Sequence, residues 1–117
     1  MRGVIPLIAL AAAATLAACG TQEIEVSAEY ERGAQLFSER CGGCHTLAAA
    51  ATQGTANRSQ RTQGPDLDGR TETEEDVLFA IRNGGFSGAI MPQNIVVGGD
   101  AEEVAAFVAE YAGREAD

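Results

Sequence analysis

The chain has 117 residues, no lysine, and 17 acidic residues against eight basic ones, for a formal charge of −9. That length makes one domain the default, and the acidity argues against nucleic acid and against electrostatic attraction to anionic lipid. A basic or mixed protein partner fits better. With six aromatic residues and no tryptophan, the core is modest, and a domain this small commonly relies on a disulfide, a metal or a cofactor.

Met1 and Arg2 open the chain with a positive charge, followed by the apolar run VIPLIALAAAATLAA. The run is too short and too rich in alanine for a spanning helix, and it fits a secretory leader. It ends in Leu16-Ala17-Ala18-Cys19, which resembles the lipobox of bacterial lipoprotein signal peptides. That resemblance implies that Cys19 is lipidated and becomes the mature N-terminus; the alternative is an ordinary leader beside a cysteine. Two or more acyl chains hold a protein stably where one does so only marginally. The expected organisation is a signal peptide over 1–18, a tether over 19–26 and one domain over 27–117. The protein is expected to be exported and anchored on the outer face of the bacterial cytoplasmic membrane. Residues 19–117 keep all 17 acidic and seven of the basic residues, a formal charge of −10.

A first helix is predicted from Ser27 to Arg40. Ser27 has the chemistry of an N-cap, and Glu29 and Glu31 suit the positive end of the helix dipole. Tyr30, Gly33, Ala34 and Phe37 fall on one face. Gly33 costs that helix about 1 kcal/mol relative to alanine, which close approach of another helix would explain. Residues 46–63 read as a loop with one helical turn at Leu47 to Ala51. Arg58 and Arg61 make a local basic island there, or simply part of a solvated loop. Gly64-Pro65-Asp66-Leu67-Asp68-Gly69 is turn chemistry.

A second helix is predicted from Thr73 to Asn83. Glu74, Glu75 and Asp76 lie in its first turn, Val77, Leu78 and Ile81 form its stripe, and Gly84 ends it. An irregular apolar loop, residues 84–92, follows. The last helix is predicted from Asp100 to Ala112, with Asp100 and Glu103 spaced as a capping box. Val104, Phe107, Val108 and Tyr111 are its stripe, and Gly113 stops it. Ile95-Val96-Val97 is the one β-like run, so the fold class is all-α with long loops.

Cys41-Gly42-Gly43-Cys44-His45 is the attachment signature of c-type haem. Positions i, i+3 and i+4 put both thiols and the imidazole on one side of a helical turn. The two thiols can then add across the two vinyl groups of one porphyrin edge, with the imidazole under the iron. Gly42 and Gly43 leave the turn free of side chains where the macrocycle edge comes close. Other readings stay open. A Cys41–Cys44 disulfide of thioredoxin type wants a βαβ context, a structural zinc usually wants four ligands, and the pairing could be chance. In residues 19–117 Met91 is the sole methionine and His45 the sole histidine. The pair therefore offers His/Met axial ligation, which raises the reduction potential and closes the iron to substrate; core filling is the alternative role for Met91.

From Glu29 to Gly113 the chain resembles class I c-type cytochromes, the small monohaem kind similar in size to bacterial cytochromes c6 and c551. GAQLFSERCGGCH resembles their first helix running into the haem motif, GPDLDG their GPxLxG segment, AIMP their axial-methionine loop and EEVAAFVAEYAG their C-terminal helix. The resemblance implies a cytochrome c fold of three to four helices around one covalent haem c. It implies that Pro65 packs beside the proximal ring, and that a backbone carbonyl of the Gly64-Pro65 segment accepts the Nδ1–H of His45. It also implies that the first and last helices cross at Gly33 and Phe37 against Phe107 and Tyr111. Asp66 stands where the family often has Asn, and the segment before Gly64 is longer than usual. The lysine ring that many mitochondrial-type cytochromes use for docking is missing.

The function implied is electron transfer by a monomeric carrier between redox donor and acceptor proteins, with no catalytic residue and no small-molecule substrate. The alternatives are a haem sensor with an open sixth position, an electron-transfer subunit of a larger dehydrogenase or oxidase, and a zinc or disulfide lipoprotein.

Overall fold

A computed structural model of the chain describes residues 23–54, 64–86 and 91–114. The leader and Cys19, the Arg58 and Arg61 segment, and Ala89-Ile90 lie outside the described residues. Among those described there are three α-helices: α1 (Glu31–Arg40), α2 (Glu74–Asn83) and α3 (Gly98–Tyr111). A 3-10 turn, Ala28–Tyr30, leads into α1. A two-stranded antiparallel hairpin, β1 (Thr46–Leu47) and β2 (Thr52–Gln53), is closed by a second 3-10 turn, Ala48–Ala50.

α3 is the centre of the fold, and α1 and α2 both pack on it. Its predicted stripe is its buried face: Val104, Phe107, Val108 and Tyr111 are buried, joined by Ala101 and Ala105. α1 crosses it where Gly33 has no side chain. A Cβ there would run into the Glu103 carbonyl oxygen and lie 2.7 Å from the Phe107 Cβ. Beside the crossing, Phe37 and Phe107 meet edge to face with centroids 6.0 Å apart. Full burial of each ring is worth roughly 1.5–3 kcal/mol, and such aromatic pairs add about 0.5–1.5 kcal/mol more. On α2, Ile81 is buried, Val77 and Leu78 are half-buried and pack against the core. The Thr73 hydroxyl caps this helix by accepting from the Asp76 amide at 3.1 Å.

Three local expectations are corrected. Ser27 precedes the first helical segment but its side chain caps nothing. Its amide instead donates to the Tyr111 hydroxyl at 3.0 Å. The Asp100–Glu103 capping box does not form either, because α3 begins at Gly98, after an uncapped Val97. Gly98 takes a φ of 59°, a conformation open to glycine, where the chain turns into the helix. Asp100, now inside the first turn, accepts from Arg32 of α1 at 2.5 Å. Finally, where no sheet is expected, a two-stranded pairing forms at 46–47 with 52–53, and the short β-like run at 95–97 is indeed not a strand. The Thr52 hydroxyl accepts from the Leu47 amide at 3.1 Å and donates to the His45 carbonyl at 3.0 Å. Those two bonds outweigh the helical preference of the four alanines between the strands. The expected turn survives as the 3-10 segment at Ala48–Ala50.

Of the expected tether, residues 23–26 are described. Ile24 and Val26 pack against the core while Glu23 and Glu25 are exposed. This is a period-2 alternation in which only the apolar members contribute to burial.

Candidate functional site

The site grows out of the end of α1. The Cys41 and Gly42 amides both donate to the Phe37 carbonyl at 2.8 Å, and the His45 amide donates to the Cys41 carbonyl at 2.9 Å. The motif therefore continues the helix by one more turn. Cys41 is buried, Cys44 half-buried, and both are free thiols. Burial, and secondarily the neighbouring Cys44, pushes the Cys41 thiol up to about 11, so at neutral pH it is protonated in the haem-free chain. A Cβ on Gly42 would lie 2.6 Å from the Thr52 Cγ2 and 2.7 Å from the Ser38 carbonyl oxygen. The hairpin therefore requires that glycine, whereas a Cβ on Gly43 would meet nothing.

His45 is fixed from the other side by the 64–68 segment. The Gly64 amide donates to the Cys44 carbonyl at 2.8 Å, and the Leu67 amide to the Thr46 carbonyl at 2.9 Å. Asp66 bridges to Thr46 in the manner of a parallel strand. Its Oδ1 accepts from the Asp68 amide at 2.9 Å, and the Asp68 Oδ1 accepts from the Ala48 amide at 2.8 Å. An asparagine oxygen could take the first of these bonds equally well, so the aspartate at 66 keeps the turn. With the segment so held, the Pro65 carbonyl oxygen lies 3.0 Å from the His45 Nδ1. Nδ1–H is then the donor, which leaves Nε2 as the ring nitrogen free to bind a metal. The ring lies directly against Gly64, where a Cβ would fall 2.6 Å from Nδ1 and 2.7 Å from Nε2.

Cys41, Cys44, His45, Gly64 and Pro65 are thus one cluster. Met91 stands on a separate segment, half-buried against the core. That segment is tied to the end of α2: the Asn94 amide donates to the Ile81 carbonyl at 2.8 Å. The Met91 carbonyl oxygen also lies so near Gly84 that a Cβ there would be 2.6 Å away. Thr52 and Asp68, which hold the hairpin and the turn around the histidine, were not singled out from the sequence. Their only signal is that a short polar side chain stands beside a turn.

Among the described residues no group of three or more His, Cys, Asp and Glu is arranged to hold a bare metal ion. The zinc reading therefore finds no ligand set there. Two free thiols on one turn and an imidazole oriented through Nδ1 are instead the donor set that a covalent haem needs.

The family described as cytochrome c oxidase, cbb3-type, subunit III matches residues 28–109. The chain belongs to that family and is a c-type cytochrome. It is also similar to the crystal structure of the c-type cytochrome SorU from Sinorhizobium meliloti. The two share 34% sequence identity with a TM-score of 0.58, over 73% of this chain and 92% of that one. No curated protein matches the chain. The fold is the all-α cytochrome c fold, the cofactor is covalently bound haem c, and the role is that of an electron carrier working with redox partners.

Proposed function

We propose that this c-type cytochrome is a small monohaem carrier of the c6 or c551 kind, with His45 and Met91 as its axial ligands. The observation that carries the reading is the His45 imidazole, held by the Pro65 carbonyl within the turn that bears both thiols. Cys41 and Cys44 would hold the haem through thioethers, and the His45 Nε2 and the Met91 sulfur would ligate its iron. The haem supplies reversible one-electron chemistry at its iron when bound. The chain's own residues orient and exclude: Pro65 fixes the imidazole tautomer, Gly64 gives the ring room, and Met91 as a ligand would keep small molecules from the iron.

Cys19 anchors the mature chain to the outer face of the membrane. There, as a monomer, it passes electrons between membrane-associated or extracytoplasmic redox proteins. A second reading, an electron-transfer subunit of a larger oxidase, draws on the printed description of the family. Isolation in fixed stoichiometry with an oxidase would favour that one.

The test is a reduced haemochrome spectrum of the exported protein made with cytochrome c maturation machinery. One covalent haem per chain, with a low-spin spectrum indifferent to carbon monoxide, is the expected result. Colourless protein removes the reading, and carbon monoxide binding by the untouched reduced protein points to an open-site sensor instead. Met91→Ala should keep the haem attached, lower the reduction potential and turn carbon monoxide binding from undetectable to stoichiometric. An unchanged potential and spectrum in that variant would show that the ligand is another residue.

A further inference from the structure

The largest exposed apolar feature of the described residues is a pair of phenylalanines. Phe79 on α2 is 46% exposed and Phe86, just after the helix, is 58% exposed. Their rings stack with centroids 5.4 Å apart and an interplanar angle of 30°. The helix end builds this pair. Gly84 and Gly85 take φ values of 73° and 88°, and the Gly85 amide donates to the Ala80 carbonyl at 2.7 Å. The chain folds back so that Phe86 lies on the outer face of α2. Phe79 is two residues, about 200° of helical rotation, from the buried Ile81, so it points away from the side that packs on α3.

We propose that the Phe79–Phe86 pair is the apolar centre of a docking face for a redox protein whose contact surface is basic. This rests on the electron-carrier reading of the site and names the partner's chemistry. Glu75 and Asp76 precede Phe79 by four and three residues, and Arg82 follows by three, so all lie on the same outer face of α2. Glu75 and Asp76 are exposed, which leaves one arginine against two carboxylates around the rings. A second copy of a chain with a net charge of −9 is repelled, and so are nucleic acid and anionic lipid. Lysines or arginines around an apolar contact complement the face in both respects. The two rings offer roughly 200 Å² of apolar surface, which suits the small interfaces of transient electron-transfer encounters. The Met91 carbonyl oxygen lies against Gly84, two residues before Phe86, so the docked face adjoins the segment that carries the proposed ligand.

The experiment follows reoxidation of the reduced holoprotein by membranes of the parent cell lacking this chain, at low and high ionic strength. For the wild-type protein the rate should fall as salt is added. Phe79→Ser/Phe86→Ser should react at least tenfold more slowly with its spectrum and potential unchanged. Glu75→Lys/Asp76→Lys should be slow at low salt and converge on the wild type at high salt. Wild-type rates in the serine variant, or faster low-salt reaction in the lysine variant, would overturn the docking face. Membranes that do not reoxidise the wild type at all would overturn the carrier reading itself, a result distinct from either.

Discussion

Gly33→Ala is expected to lower stability by about 2–3 kcal/mol, a drop of ten degrees or more in the melting temperature for a domain of this size. The direction is opposite to helix propensity, which favours alanine over glycine by about 1 kcal/mol. Sterics decide the sign. The new methyl group would meet the Glu103 carbonyl oxygen and the Phe107 Cβ at once. Neither can rotate away, because one is helix backbone and the other is rooted to it. The crossing of α1 and α3 would have to widen, and the buried edge-to-face contact of Phe37 with Phe107 would loosen with it. Overpacking of this kind typically costs 1–3 kcal/mol and occasionally more, and the stability of a whole domain is only about 5–15 kcal/mol. Gly99→Ala is the matched control. It lies in the first turn of α3 with nothing within 4 Å of its Cβ position, so propensity alone acts and stability should hold or rise slightly. Thermal unfolding of both oxidised variants checks the pair. Equal melting temperatures would mean that the helices can separate there at no cost.

That same glycine illustrates what the sequence makes legible. A residue that weakens its own helix, on the face shared by Tyr30 and Phe37, points to a close crossing, and the structure has one. The helical stripes read correctly because they are periodic and local. The CGGCH turn is legible because all its chemistry lies within five residues. Most of what failed to read depends on partners far along the chain. Ser27 has every local mark of a cap, yet its amide bonds to Tyr111, 84 positions away. Asp100 has the spacing of a capping box, yet it pairs with Arg32 across the helix crossing. The alanines between Leu47 and Thr52 favour helix, but a threonine hydroxyl bonding to two backbone groups turns them into a hairpin. At the site, the bond from His45 to Pro65 spans 20 positions. No periodicity could announce it, and it was expected only through the resemblance of GPDLDG to a known segment.

The sharpest consequence of that long-range bond concerns Gly64, which looks in sequence like an ordinary turn glycine. Gly64→Ala is expected to displace the His45 ring, since a Cβ would overlap three of its atoms, Cε1 most closely. The backbone cannot retreat easily, because the Gly64 amide is bonded to the Cys44 carbonyl. The ring must therefore turn, which removes its bond to the Pro65 carbonyl. That bond is solvent-exposed, so its loss costs about 0.5–1.5 kcal/mol, and the overlap adds about 1–3 kcal/mol. A total near 3 kcal/mol is expected in thermal unfolding. With His45 as the proposed axial ligand, the misplaced imidazole should also populate high-spin iron and admit carbon monoxide to the reduced protein. Pro65→Ala separates the two causes. It retains the carbonyl that accepts from Nδ1, so the low-spin spectrum should persist even where the turn loses some stability. If Gly64→Ala keeps a wild-type spectrum and melting temperature, the ring is not confined as described, and the orientation of His45 must come from the iron rather than from the polypeptide.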